Sequence, residues 1–195
     1  RSCGKRGKST DPSGTAECIL QEVQVMITIR QETPADHAEI YSLIQTAFAS
    51  AEHRDGNEQD LVDALRKSEA FIPELSLVAQ LDGRIAGHIL FTKARIGKTT
   101  QLSLAPLSVL PPFQRQGIGT ALIQEGHRIA KELGYAYSIV LGSETYYPRL
   151  GYAPASRYGI RPPFEVPDAN FMAFPLRIPA PQISGVLEYA PEFEI

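Results

Sequence analysis

Gln114-Arg115-Gln116-Gly117-Ile118-Gly119 places two alternating glycines where an extended run gives way to a helical one. A tight glycine turn at a helix start leaves main-chain N–H groups without helical acceptors, beside the positive end of the helix dipole. Together these favour a phosphate. With no side chains at Gly117 and Gly119, a diphosphate can approach the backbone. Gln114 and Arg115 add donors and a positive charge, and Thr120 adds a hydroxyl.

A lone G-x-G is at least as often a plain strand-to-helix turn as a phosphate site, so the surrounding sequence must be weighed. A dinucleotide fingerprint needs a third glycine where Leu122 stands and a turn directly after the strand, whereas Leu110-Pro111-Pro112-Phe113 intervenes. Gly7-Lys8-Ser9 and Gly97-Lys98-Thr99 end like P-loops, but Ser2 and Thr92 occupy the positions of the required upstream glycine. His37, His53, His88 and His127 are dispersed without zinc-ligand spacing, so no metal is expected. There is no G-x-S-x-G nucleophile elbow.

The elements that must position the turn follow from periodicity. Residues 1–25 are Gly-, Ser-, Thr- and Lys-rich without a sustained period and are expected to be a tail, non-native or disordered. Met26 reads as a natural start, and the domain is expected over 26–195. After a first strand from Met26, Thr33-Pro34-Ala35-Asp36 caps a helix carrying Ile40, Leu43, Ile44, Ala47 and Phe48, and a second helix starts near Asn57 with Leu61, Val62 and Leu65 on one face. Three strands follow as a meander (75–81, 84–96 and 101–110) with turns at Asp82-Gly83 and Gly97-Lys98. Pro106 cannot donate to a ladder, so it requires an edge position or a bulge. A helix over 117–133 with Ile118, Leu122, Ile129 and Leu133 on one face ends at Gly134. Then come a buried strand over 137–141, a short helix within 144–150, and strands near 171–176 and 185–189. The order predicts a single mixed α/β (α+β) domain without repeats.

Composition bounds the partners. Apolar residues make up 43% of the 195-residue chain and charged residues 21%, the balance of a water-soluble globular domain. A net charge of -3 supplies no field for nucleic acid, while a small anion needs only local donors. Cys3 and Cys18 match neither a disulfide framework nor a zinc site. No run reaches the roughly 18 apolar residues of a membrane span, and the basic N-terminus lacks a secretory core, so the cytoplasm is expected.

Leu107-Ser108-Val109-Leu110 through Gly119 resembles the acetyl-CoA motif of the GNAT superfamily, with its Q/R-x-x-G-x-G/A signature. Tyr146-Tyr147-Pro148-Arg149-Leu150-Gly151-Tyr152 resembles the family's second motif, and Val140 to Tyr152 is most similar to the YhbS-type branch. The resemblance spans about 26–189. It implies a central mixed, mostly antiparallel sheet flanked by helices, in which the strand at Leu107–Val109 splays from the one ending at Leu141 and pantetheine enters the gap. It also implies acetyl-CoA as cosubstrate, held by Leu107, Ser108, Val109, Gln114, Arg115, Gln116, Gly117, Ile118, Gly119 and Thr120, with the Leu107 N–H polarising the acetyl carbonyl.

The same resemblance aligns Tyr147 with the tyrosine that protonates the departing thiolate. A phenol with an ordinary pKa of about 10 stays protonated near neutrality, as that role requires; Tyr146 is expected to pack. The acceptor is expected to be a primary amine of a small molecule or protein. The residue that takes its proton stays open among Glu144, His88, Glu52, His53 and Glu58. Homodimerisation follows from superfamily habit alone. A non-catalytic acyl-CoA sensor is the competing class.

Overall fold

A computed structural model describes residues 26–49 and 56–193. The tail expected over 1–25, with both cysteines, lies outside them, as do Glu52 and His53. Strand β1 (Ile27–Gln31) runs into Thr33, whose N–H and hydroxyl donate to the Asp36 carboxylate at 2.7 and 2.8 Å, while Arg30 pairs with it at 2.7 Å. This fixes the turn into α1 (His37–Phe48), and α2 (Glu58–Leu65) follows. The apolar spacing seen in the sequence does its work: Ile40, Leu43 and Ile44 of α1 join Val62 and Leu65 of α2 in one core.

β2 (Phe71–Leu81), β3 (Arg84–Ile96) and β4 (Thr99–Val109) form the expected meander. β2 starts earlier than its alternation suggests, tolerating Pro73 where its register on β3 slips between Phe71 and Ser76. Then come α3 (Ile118–Glu132), β5 (Tyr137–Leu141), the two-residue β6 (Ala153–Pro154) and β7 (Ile160–Arg161), β8 (Phe171–Pro175) and β9 (Gly185–Glu188). The sheet order is β1-β2-β3-β4-β5-β8-β6, with β9 pairing both β3 and β7. Among the described residues only β4–β5 and β7–β9 are parallel, so the sheet is mixed and mostly antiparallel. The short helix expected within 144–150 is a 3-10 turn over Tyr147–Leu150.

Helix α1 and α2 cover one face of the sheet with Val78, Ile85 and Leu90; α3 covers the other with Ile89, Phe91, Leu102 and Leu104. The buried stripe of α3 is Ile118, Leu122, Ile123, Gly126 and Ala130. Leu133, expected on that stripe, is 45% exposed beyond the helix end. The difference comes from small residues. A Cβ on Gly126 would stand 2.3 Å from the Phe91 ring, so α3 lies close to the sheet along a line of small side chains that counting large apolar residues overlooks.

Pro106 sits in a central strand, and the bulge alternative holds. The β3–β4 register runs from Phe91↔Leu104 to Ile89↔Leu107, which leaves one extra residue on β4. β4 pairs with β5 only at Leu102↔Ser138 and Ser103↔Ile139. Beyond those pairs the two strands separate, and Leu141 at the end of β5 is 44% exposed. Among the described residues no helix is long and apolar enough to cross a membrane.

Beneath α3, His127 is stacked on Phe174 with ring centroids 4.3 Å apart, and its Nε2 lies 2.9 Å from the Tyr152 hydroxyl, which in turn is 2.8 Å from Ser138 Oγ. Burial lowers the His127 pKa from 6.5 to about 4. The folded protein therefore keeps it neutral at pH values where the unfolded chain binds a proton, so its contribution to stability is complete above the unfolded pKa and is lost as pH falls towards 4. His127→Gln removes this titration. Urea unfolding should show the wild type losing about 2 kcal/mol more than the variant between about pH 7 and 5; parallel losses would mean that His127 is not held neutral.

Candidate active site

Between β4 and α3 the chain makes a 3-10 turn at Pro111–Phe113 and then a loop in which Arg115 (φ 61°) and Gly117 (φ 85°) are left-handed. The glutamine side chains shape this loop: Gln114 Nε2 donates to the Val109 carbonyl and Gln116 Nε2 to the Pro112 carbonyl, each at 3.0 Å. Both were expected to serve as ligand donors. Arg115 is exposed at the rim. Among the described residues, the main-chain N–H groups from Arg115 to Thr120 find no main-chain acceptor, whereas Ala121 N–H already bonds the Gly117 carbonyl. Six neighbouring donors, two left-handed residues and the start of a 15-residue helix make a cradle of the kind that suits an anion.

The strand side of the site follows from alternation. Leu110 N–H donates to the Ala86 carbonyl on β3 at 2.9 Å, so Ser108, two residues back, also turns its main-chain groups to β3. The main chains of Leu107 and Val109 therefore face the other way, into the gap left by β5, and the Gln114 bond to the Val109 carbonyl from that side agrees. The side chains of Leu107 and Val109 pack with the α3 core. Ser108 projects its side chain through the opposite face of the sheet, opposite His88 on β3, and is buried there without a hydrogen-bond partner.

Across the gap, the segment after β5 brings in the tyrosines. Tyr147 is buried: its ring covers Gly142, where a Cβ would meet it at 2.4 Å, and it stands edge-on to Tyr146 and Tyr152 at 5.1 and 5.4 Å between centroids. Burial pushes its phenol well above the ordinary value. Tyr146 packs against the core, as expected, and also reaches the cradle. Its hydroxyl lies 2.7 Å from where a Cβ on Gly119 would stand, and Leu107 Cδ2 lies 3.5 Å from the same point. Burial raises this phenol too, with Thr120 beside it acting in the opposite sense. Sequence reasoning missed this reach. The available signal was the bare Cα of Gly119, which leaves room for the first tyrosine of the pair as well as for a ligand.

The proton-acceptor candidates are scattered. Glu144 accepts from Asn170 Nδ2 at 2.7 Å near the tyrosine segment, Glu58 opens α2, and His88 is fully buried beside Glu32. Among the described residues no three His, Cys, Asp or Glu side chains gather as a metal site.

Residues 26–152 match the family model described as Acetyltransferase (GNAT) family. The chain belongs to that family, whose members are acetyl-CoA-dependent acyltransferases. GNAT relatives from Escherichia coli include the uncharacterized N-acetyltransferase YjhQ, 40% identical over 58% of this chain and 65% of its own, slightly under two thirds of its length. Another is the uncharacterized N-acetyltransferase YhbS, 31% identical over 85% of this chain and 97% of its own. A structure of E. coli YhbS in complex with CoA superposes with a TM-score of 0.79 at 27% identity, covering 96% of this chain and 97% of that one. A GNAT family acetyltransferase from Brucella melitensis in complex with acetyl-CoA gives 0.72 at 33% identity, with 86% and 98% covered. The mixed sheet and splayed strands of this GNAT chain are thus the family's fold.

The two glycines at the mouth of the gap should respond differently to a methyl group. Gly142→Ala drives a Cβ into the Tyr147 ring and is expected to destabilise the fold by about 1–3 kcal/mol. Gly117→Ala meets open space and costs only the left-handed backbone, about 1–2 kcal/mol. Near-ultraviolet circular dichroism at native temperature should change for the first and not for the second; an unchanged tyrosine signal in Gly142→Ala would contradict the packing described.

Proposed function

We propose that the protein transfers an acetyl group from acetyl-CoA directly to a primary amine of a small molecule or protein. The observation that carries this reading is the common opening shared by two sets of main-chain donors. The cradle of Arg115 to Thr120 suits the diphosphate of the cofactor. The Leu107 and Val109 N–H groups facing the gap suit its pantetheine and thioester, with Leu107 polarising the acetyl carbonyl. Attack by an amine builds charge on that oxygen, and a fixed N–H stabilises it without reorganising. The complexes of E. coli YhbS with CoA and of the Brucella protein with acetyl-CoA support the same donor here.

In this reading Tyr147 donates the proton to the departing thiolate. Its burial is consistent with that role, since a phenol raised above its ordinary pKa stays protonated near neutral pH. Tyr146, whose hydroxyl stands nearer the cradle, is the rival for the role.

Free-thiol release from acetyl-CoA, with mass detection of product, tests the proposal on spermidine, glucosamine, an alanyl dipeptide and a lysine-containing peptide. Turnover on at least one of these is expected. Cofactor that stabilises the fold, by about 2.7 kcal/mol at a hundredfold excess over its Kd, without turnover on any amine would favour an acyl-CoA sensor; no stabilisation at all would overturn both. Tyr147→Phe should lower kcat about ten-fold or more with the KM for acetyl-CoA unchanged. The same loss in Tyr146→Phe alone would move the role to Tyr146.

A further inference from the structure

On the face of the sheet opposite α3, a group of polar side chains lies inside the α1–α2 core. Glu32, just past β1, receives both Arg66 Nε (2.8 Å) and Nη2 (2.9 Å), and its other close partner is His88 Nε2 at 3.2 Å. Ser76 Oγ on β2 is also 3.2 Å from that nitrogen, and His37 on α1 approaches Glu32 at 3.6 Å. Side-chain exposure is 4% for Glu32, 7% for Arg66 and nil for His88. Burial alone would raise the Glu32 carboxyl, but the hydrogen bonds from His88 and Arg66 outweigh it and hold the pKa near 2, so Glu32 is ionised. Burial lowers the His88 pKa against the pull of Glu32, so the ring is neutral.

A neutral imidazole beside a carboxylate carries its proton on the nitrogen facing that carboxylate. Nε2 is therefore the donor, and Nδ1 is left with a free lone pair. The two nitrogens point in nearly opposite directions. With Nε2 turned to Glu32 and Ser76, Nδ1 turns away from β1 and β2, where His88 is registered with Ser108 on β4. Both His88 Nδ1 and Ser108 Oγ are buried and have no partner. Two buried, unpartnered polar atoms on registered neighbours call for a polar group to satisfy both. Ser108 is also the residue between Leu107 and Val109, whose main chains face the gap.

We infer that His88, oriented by Glu32 and reached through the Ser108 hydroxyl and one bridging water, receives the proton that the attacking amine sheds. The inference rests on the reading of the protein as an N-acetyltransferase. The amine nitrogen forms the C–N bond and the C–S bond breaks. The ammonium proton passes along Ser108 and the water to Nδ1, giving an imidazolium whose charge Glu32 balances. The thiolate takes its proton from the tyrosine, and the proton on His88 leaves to restore the phenol through solvent. Neutral amine and acetyl-CoA thus give amide and CoA thiol with no net proton. His88 is a positioning and relay residue in this scheme. The charged and titratable groups facing it are Glu32, His37 from α1 and Arg66 at the end of α2, with the hydroxyls of Ser76 and Ser108 from β2 and β4.

The test uses the full chain and the amine of the panel that is turned over fastest. Ser108→Ala keeps the main chain and loses one oxygen, so it should fold; kcat is expected to fall about ten-fold, and His88→Gln about a hundred-fold or more, each with the KM for acetyl-CoA unchanged. In the wild type kcat should fall as pH drops through the His88 pKa, below the ordinary histidine value, and this limb should be missing from His88→Gln. Imidazole nitrogen NMR of the unliganded protein should show the Nε2–H tautomer. Variants that follow the wild-type pH profile, or an Nδ1–H tautomer, overturn the inference and leave the acetyl-transfer reading standing. A wild type that binds acetyl-CoA and turns over no amine overturns that reading and this inference with it.

Discussion

Strands β4 and β5 share two registered pairs, Leu102↔Ser138 and Ser103↔Ile139, before the extra residue at Ala105-Pro106 carries β4 out of register. Main-chain polar groups inside a protein must be paired or open to solvent or ligand. Where β4 and β5 touch, the parallel ladder closes a core in which Leu102 and Ile139 are inaccessible. Where they part, the Leu107 and Val109 main chains lose their neighbour, and Leu141 is uncovered. The cradle at the start of α3 follows directly from the freed end of β4, and the tyrosine segment follows directly from the freed end of β5. One broken ladder therefore brings the donors, the gap and the phenols to the same place.

Legibility in the sequence tracks how local each determinant is. The cradle is a run of six residues, and its glycines announce both the turn and the helix. Pro106 announces a defect within its own strand, although only the sheet order decides between an edge and a bulge. The α3 face was misjudged at Leu133 because Gly126 and Ala130 carry no hydrophobic signal, yet they are the residues that let the helix approach Phe91. The reach of Tyr146 to Gly119 joins positions 27 apart and has no local pattern. Least legible is the Glu32–Arg66–His88 group. Its members come from three separate stretches of chain, of which the sequence singles out His88 alone, and only the packing of α1 and α2 on the sheet buries them together.

The two faces of the sheet differ in how they treat ionisable groups. On the α3 side, His127 has no charged partner and is kept neutral by aromatic neighbours and the Tyr152 hydroxyl. On the α1–α2 side, charge is retained and balanced, with a carboxylate held between a guanidinium and an imidazole. Removing Glu32 or Arg66 from such a buried pair leaves an uncompensated charge, which is why these two groups form a unit. The main-chain N–H groups of the cradle lie apart from this second face.

The close approach of Gly126 to Phe91 has a mechanical consequence for the cradle. It pins a 15-residue rod near its middle, eight residues from Ile118, which at 1.5 Å per residue is a lever arm of about 12 Å. A tilt of about five degrees about that fulcrum displaces the cradle end by about 1 Å, a distance on the scale that separates a good hydrogen bond from none. The aromatic side chain at position 91 therefore governs the aim of donors it never touches.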